Sequence, residues 1–216
     1  MTGPVSLEDG WVDAELAAEF PDLRLATAGV AHVPGRSSPD LRRRLSMEAQ
    51  RMNGARAVRL RSDPVPSAYR IFFRLIGLDP DSTRTPIEES ALRRLVHGGY
   101  ESRGLVEDAL LLGLVETGVP VYAVDEEALD GPVGVRPARA GERLGLGELA
   151  GDLPPGRLVV ADGARPVAVL FGELAPEYRV SRSSRCLRLF AIGVAGVPDI
   201  HVEEALWASV EALRGA

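Results

Sequence analysis

The chain contains no lysine: all 25 basic residues are arginine. Every cation is therefore a planar guanidinium fork, suited to two-point contacts with carboxylates or phosphates. There is one cysteine, Cys186, which excludes an internal disulfide. The three histidines do not cluster, so no Cys/His arrangement suggests zinc. Long apolar runs are missing too. "ALLLGLV" and "LFAIGVAGVP" are about half the length a membrane span needs. The opening "MTGPVSLEDG" has neither a basic n-region nor an apolar h-region, so a secretory signal is not expected there. No phosphate loop, GxGxxG after a strand, HExxH or GxSxG is found. "GERLGLGELAG" is glycine-rich but lacks the lysine and the strand–helix context of a phosphate loop, and reads as an ordinary loop. The expectation is a cytoplasmic protein without cofactor, metal or membrane segment.

What is present is the composition of a globular protein: 45% hydrophobic and 26% charged over 216 residues. That length buries a sizeable core as one domain or as two merged subdomains. The net charge of −6 argues against indiscriminate nucleic-acid binding, but it is unevenly spread. Residues 1–35 carry six acids against Arg24 alone, whereas residues 36–74 carry ten arginines against Asp40, Glu48 and Asp63. Such a flank is either a solvated face paired with its own acids or a surface that meets phosphates.

The hydrophobic period changes along the chain. "DGWVDAELAAEF" reads as a short amphipathic helix and "LRLATAGVAHV" as a strand. "SSPDLRRRLSMEAQRMNG" is a helix with Ser38 as cap, Pro39 in its first turn and Leu41, Leu45, Ala49 and Met52 as its stripe, stopped by Asn53-Gly54. "SAYRIFFRLIG" and "EESALRRLVHGG" are two more helices, and Leu105 to Glu116 is a fourth, apolar almost all round and so expected to be buried. Short strands follow: "VPVYAV", "PVGVRPA", "RLVVA", "PVAVLF" and "LRLFAIGV", the middle pair forming a hairpin around Asp162-Gly163. "HVEEALWASVEAL" closes as a helix with Val202, Leu206, Val210 and Leu213 inward. Helices first, strands second, then a helix favour an α+β fold, helices packed on antiparallel or mixed sheets in a single compact domain.

Residue chemistry alone points nowhere firmly. His32, His97 and His201 sit at predicted element ends, where histidine more often caps or faces solvent than catalyses. Glu88 and Glu89 are adjacent on a helix and point in different directions, so they suit the positive helix N-terminus better than paired acid–base work.

Three segments in order carry a resemblance: "LIGLDPDSTRTPIEESALRRLVHGG", "LVEDALLLGLVETGVPVYAVDEEALDGPVGVRPARAGERL" and "GRLVVADGARPVAVLFGELAPEYRVSRSS". Gly77, Asp79, Pro80 and Arg84 precede an "ESALRR" helix. A buried helix then ends in Thr117, Gly118 and Pro120 and turns into a strand closing on Asp125. This order resembles the tRNA-binding editing domain of the phenylalanyl-tRNA synthetase beta chain, especially its free-standing relatives. The resemblance covers about residues 65–195, with residues 65–216 as the editing-like core and 1–64 as an acidic, then arginine-rich segment of the same unit.

The resemblance implies a domain that accepts the aminoacylated 3′ end of a tRNA and hydrolyses a wrongly formed ester; the expected RNA contacts are then Arg84, which the resemblance matches, and Arg42, Arg43 and Arg44 of the arginine-rich flank. Positioning and preorganised donors supply most of such a rate, without a nucleophile triad or metal. Its implied substrate-binding positions are Asp108, Leu111, Tyr122, Glu173, Glu177, Ser181 and Ser184. Three depart from the family pattern. Leu111 stands where the family has Asn, and Tyr122 where it has His or Gly. The family's tyrosine-recognising Glu falls at about Pro176, with Glu177 beside it and Glu173 a short turn earlier. Each position also has a structural reading. Tyr122 suits strand packing, Asp108 suits binding loop amides, Glu116 suits an exposed helix end, and Ser181 and Ser184 suit a turn. Two functions are therefore carried forward: an aminoacyl-tRNA deacylase acting in trans, and a non-catalytic module binding tRNA or an amino-acid-like ligand.

Overall fold

The computed structural model describes residues 6–31, 34–147 and 150–215. The α+β class expected from the element order is what the chain adopts. Its residues divide into two units, Met1–His32 with Ala123–Phe190 and Val33–Tyr122 with Ala191–Ala216.

The first unit holds most of the strands. β1 (Leu7–Asp9) runs antiparallel to β3 (Arg24–Ala31), with Leu7 opposite Ala28. β4 (Val121–Asp125) and β10 (Cys186–Gly193) complete that sheet in the order β1-β3-β10-β4, and both strands carry the chain from one unit into the other. A second sheet has the order β2-β5-β8-β9, built from Trp11–Val12, Gly134–Pro137, Leu158–Ala161 and Pro166–Val169. The expected hairpin is there as β8 and β9. Asp162 seals its turn by accepting from the amides of Ala164 and Arg165.

One local reading needs correction. "DGWVDAELAAEF" is not one helix. Trp11 and Val12 form a strand, and α1 (Ala14–Glu19) starts only after Asp13, which accepts from the amides of Glu15 and Leu16. The cause is distant in sequence: Trp11 lies flat on Gly134, where a Cβ would come within 2.1 Å of the indole. Trp11 also donates from Nε1 to the Pro132 carbonyl at 2.8 Å. At the two ends of "GERLGLGELAG", which was expected to be a loop, β6 (Arg143–Leu144) pairs with β7 (Gly151–Asp152).

The second unit is mostly helical. α2 (Pro39–Arg51) begins as read, with the Ser38 hydroxyl accepting from the Leu41 amide. Asn53 then does more than stop it, because its side chain caps α3 (Gly54–Arg59) through the Arg56 amide. α4 (Pro64–Leu75) starts earlier than its apolar pattern suggested, at Pro64. α5 (Pro86–His97) opens with a capping box between Thr85 and Glu88 and closes on Gly98 in the left-handed region. α6 (Leu105–Thr117) packs along α7 (Asp199–Arg214), whose Val202, Leu206 and Val210 are fully enclosed. The approach is close at Gly113. A Cβ there would stand 2.5 Å from Ser209 Oγ and 2.7 Å from the Ala205 carbonyl oxygen. Thr117 ends α6 by donating to the Gly113 carbonyl and accepting from the Val119 amide, which starts the turn into β4.

α6 is not buried all round. Leu110 and Leu111 break the pattern and stay partly open. They face a cavity.

Candidate functional site

That cavity, about 310 Å³, lies in the second unit beside α5, α6 and the start of β4. Its volume is at the lower end of the small-molecule range. One wall is apolar: Leu110, Leu111 and Leu114 from α6, then Pro120, Val121 and Tyr122. The facing wall is polar and comes from a single stripe of α5, where Pro86, Ser90, Arg93 and His97 recur at helical spacing. The segment between the helices adds Tyr100, Glu101 and Arg103, and Glu107 continues from the first turn of α6.

Asp108 is the organiser of this segment. It is 1% exposed and accepts from Ser37 Oγ and Ser102 Oγ, each at 2.5 Å, and from the Arg103 amide at 3.0 Å. Three donors account for most of a carboxylate's acceptor capacity, and its position follows from them. Asp108 thereby ties the segment before α6, and the loop before α2, to the cavity wall. Tyr122 is half-buried, and burial pushes its phenol well above the ordinary tyrosine range. The neighbouring Tyr69, buried with its hydroxyl on the Ile192 carbonyl at 2.6 Å, is raised first by burial and then by Tyr122. Both phenols are neutral at physiological pH.

Two buried hydroxyl oxygens of the polar wall, Ser90 Oγ and Tyr100 OH, have no hydrogen-bond partner among the described residues. Tyr100 is pushed up by burial, an effect that the nearby Ser90 hydroxyl eases.

Asp108, Leu111 and Tyr122 thus line one cavity. The remaining substrate-binding expectations lie in the other unit. Glu173 is exposed in the turn after β9, and its carbonyl accepts from the Val169 amide. Glu177 sits in the short helical turn Pro176–Tyr178. Ser184 donates to Asp125 Oδ2 at 2.6 Å and accepts from the Ser181 amide at 3.0 Å, so the two serines build a turn fastened to the end of β4.

The arginines separate as well. Arg43 pairs with Asp40 within its own helix, and Arg44 clasps Glu116 on α6 with contacts of 2.8 and 2.9 Å. Glu116 is exposed at the helix end as expected and has this partner there. Arg42 and Arg84 are exposed and make no ion pair with a described residue. His97 lies on the cavity rim, and His201 approaches Glu204 at 3.4 Å on the surface of α7. His32 lies outside the described residues.

The residues that sequence reasoning passed over are Ser90, Arg93, Tyr100 and Arg103. The signal for the first two was the repeat of polar residues at 90, 93 and 97, on a face of α5 beside that of its buried Ile87 and Ala91.

Chemically, the cavity suits an apolar group against Leu111 and Tyr122, with an anionic portion at Arg93 and Arg103. Among the described residues no group of three or more His, Cys, Asp or Glu side chains is placed to hold a metal, and no helix is long and apolar enough to cross a membrane.

No protein-family model matches the chain. Curated relatives match part of it. The beta subunit of phenylalanine–tRNA ligase from Chromobacterium violaceum is 42% identical over 78 residues, 36% of this chain and 10% of that subunit. The same subunit from Xanthomonas campestris pv. campestris is 39% identical over 114 residues, 50% of this chain and 14% of the relative. That from Thermobifida fusca is 31% identical over 122 residues, 55% and 14% respectively. Over the matched part, the chain is related to the beta subunit of phenylalanine–tRNA ligase. It spans only about a tenth to a seventh of the length of these relatives.

Proposed function

We propose that the chain receives the aminoacylated 3′ end of a tRNA in the cavity beside α5 and α6, and acts in trans as a free-standing editing domain that hydrolyses a wrongly formed ester. One observation carries the reading: in a chain related to a tRNA-ligase subunit, a cavity with an apolar wall at Leu111 and Tyr122 faces a rim bearing Arg93 and Arg103. The guanidinium forks suit the terminal phosphates, and the apolar wall suits the amino-acid side chain. An ester needs little more than positioning, a polarised carbonyl and a water, so the lack of a nucleophile–base pair in the lining is compatible with turnover. Leu111 and Tyr122 make the side-chain wall drier than an Asn or a His would. The substrate class is therefore an ester of a small or apolar amino acid.

The test is time-resolved deacylation of a panel of correctly and wrongly charged tRNAs by the purified chain, at low and moderate salt. Selective release of one wrong amino acid, slowed at least about tenfold by Tyr122→Ala in a chain that remains folded, is the expected result. Unchanged rates in that variant would remove the site assignment.

A second reading rests on Asp108. It is the one carboxylate of the cavity lining that is fully enclosed, and its three donors commit it to structure. A cavity without an available interior base suits a module that binds the charged 3′ end without turning it over. Stable esters across the whole panel, together with salt-sensitive tRNA binding, would select this reading.

A further inference from the structure

The cavity beside α5 and α6 carries charge of a sign that a phosphate-ended ligand alone would not use. Besides the enclosed Asp108, its lining holds two carboxylates, Glu101 and Glu107, and two guanidiniums, Arg93 and Arg103. All four side chains are exposed, and none forms an ion pair with a described residue. A ligand that is only anionic meets Glu101 and Glu107 as like charges, which weakens its binding. One with both a cationic and an anionic group uses both signs of the lining. The aminoacylated end of a tRNA has that chemistry: phosphates along its backbone and a free α-ammonium on the amino acid.

The covalent geometry of an amino acid narrows the choice of carboxylate. Ammonium and side chain leave the same carbon, so the group that holds the first must stand beside the wall that holds the second. Glu107 does. It precedes Leu111 by one helical turn, and Glu107, Leu110, Leu111 and Leu114 form one stripe of α6 along the cavity. Its backbone is well anchored, because Asp108, the next residue, is fixed by Ser37, Ser102 and the Arg103 amide. Those three donors also occupy Asp108 itself. Glu101 belongs instead to the non-helical segment between α5 and α6. The Glu107 carboxylate accepts no hydrogen bond from a described residue. Its Oε2 lies over the start of α6, where a Cβ on Gly104 would come within 2.7 Å, and rotation of the side chain carries it toward the cavity.

We infer that Glu107 binds the α-ammonium of the esterified amino acid, an assignment that rests on the cavity being the seat of the aminoacylated 3′ end. The cavity then reads a free amino group as well as an apolar side chain, and rejects esters whose amino group is blocked. The contact is a charge-assisted hydrogen bond, stronger than one between neutral groups.

Deacylation of alanyl-tRNA and valyl-tRNA, each compared with its N-acetylated form at neutral pH, tests this. Each rate is divided by the spontaneous rate of the same ester, because the ammonium itself activates the ester. Where the esters are stable, the affinities of the same four tRNAs are compared instead. The wild-type chain should favour the free amino form at least about tenfold, and Glu107→Gln should lose most of that preference by weakening the free form alone. Glu101→Gln should keep it. Glu107 is exposed, so its variant should retain the circular dichroism spectrum and melting temperature. A glutamate in a first turn also favours its helix through the dipole, but loss of that role would touch both forms of each ester equally. Indifference of the wild-type chain to N-acetylation overturns the inference. So does a preference that survives Glu107→Gln or disappears in Glu101→Gln. A chain that neither binds nor hydrolyses any of the four tRNAs overturns the reading of the cavity itself, and this assignment with it.

Discussion

Tyr178 donates its hydroxyl to Asp162 Oδ2 at 2.8 Å, and neither residue is exposed to solvent. Asp162 also accepts from the amides of Asp130, Ala164 and Arg165, so one carboxylate fastens the β8–β9 turn to two other segments. Burial alone would raise its pKa. The Arg165 and Asp130 amides, the Tyr178 hydroxyl and the Ala164 amide together outweigh that and hold the carboxyl below its ordinary range. The folded value lies below the unfolded one, so this contribution is complete above about pH 4 and is lost as pH falls through the folded value. Tyr178→Phe should destabilise the chain by about 2 kcal/mol at neutral pH, as expected for a hydrogen bond to a charged acceptor. The difference should shrink in acid. Urea titrations at several pH values would measure it, and a pH-independent difference would refute the account.

Arg70 and Glu88 form a second buried pair, at 2.7 Å with both side chains under one-tenth exposed. Glu88 also accepts from the Thr85 amide and hydroxyl, so the carboxylate that holds Arg70 is the one that closes the α5 capping box. Breaking a buried pair by removing one partner costs about 3–5 kcal/mol. In Glu88→Ala, Asp81 still reaches Arg70 at 2.6 Å, and in Arg70→Met, Arg61 still reaches Glu88 at 3.2 Å, which places both variants near the lower end. The two losses overlap, so the double variant should cost clearly less than their sum in a thermodynamic cycle. Strict additivity would show that the pair is not a unit.

Helices with local punctuation were legible in the sequence. Ser38-Pro39, Gly98 and Thr117-Gly118 act through the backbone within a few residues of themselves, and each stands where it was read. Trp11 was not legible as a strand, because what holds it there is Gly134, more than a hundred residues away. The candidate site was legible in part for the same reason. Leu111 and Tyr122 flank one turn of chain and face one cavity, whereas Ser90 and Tyr100 join them only through the packing of α5 beside α6. The role of Asp108 depends on Ser37, 71 residues earlier in the chain, which no local pattern announces.

Gly113 reverses a general rule. Glycine inside a helix is normally about 1 kcal/mol worse than alanine. Here an added Cβ would stand 2.7 Å from a backbone carbonyl of α7, which cannot swing aside. Gly113→Ala should therefore destabilise, by about 1–3 kcal/mol as overpacking does, and lower the melting temperature. A rise in melting temperature would mean that α6 and α7 lie further apart.

The arginine flank should not respond uniformly. Arg43 and Arg44 already have carboxylate partners, Asp40 and Glu116, whereas Arg42 and Arg84 have none among the described residues. If the flank meets RNA, Arg42→Ala and Arg84→Ala should each flatten the salt dependence of tRNA affinity by about one phosphate contact. Arg44→Ala should instead loosen the tie between α2 and α6 and act mainly on stability. Filter binding across a salt series separates the two outcomes, and equal effects from all three variants would contradict the assignment.

Leu111 offers the sharpest test of the cavity. It lies on α6 facing the open space and is only partly buried, so a polar replacement is not forced into the core. Leu111→Asn should cost about 1 kcal/mol or less in stability, since its amide reaches the cavity rather than dry packing. Its effect on recognition should be larger. An apolar wall cannot hold a hydroxyl or carbonyl of the bound amino acid, and a single placed amide can. If esters are bound there, the variant should shift preference from apolar toward polar side chains by about tenfold in kcat/KM, or in affinity if no hydrolysis occurs. Competition between two charged tRNAs for the same sample reads that ratio directly. An unchanged ratio with a normally folded variant would place the amino-acid side chain away from Leu111, and with it away from this cavity.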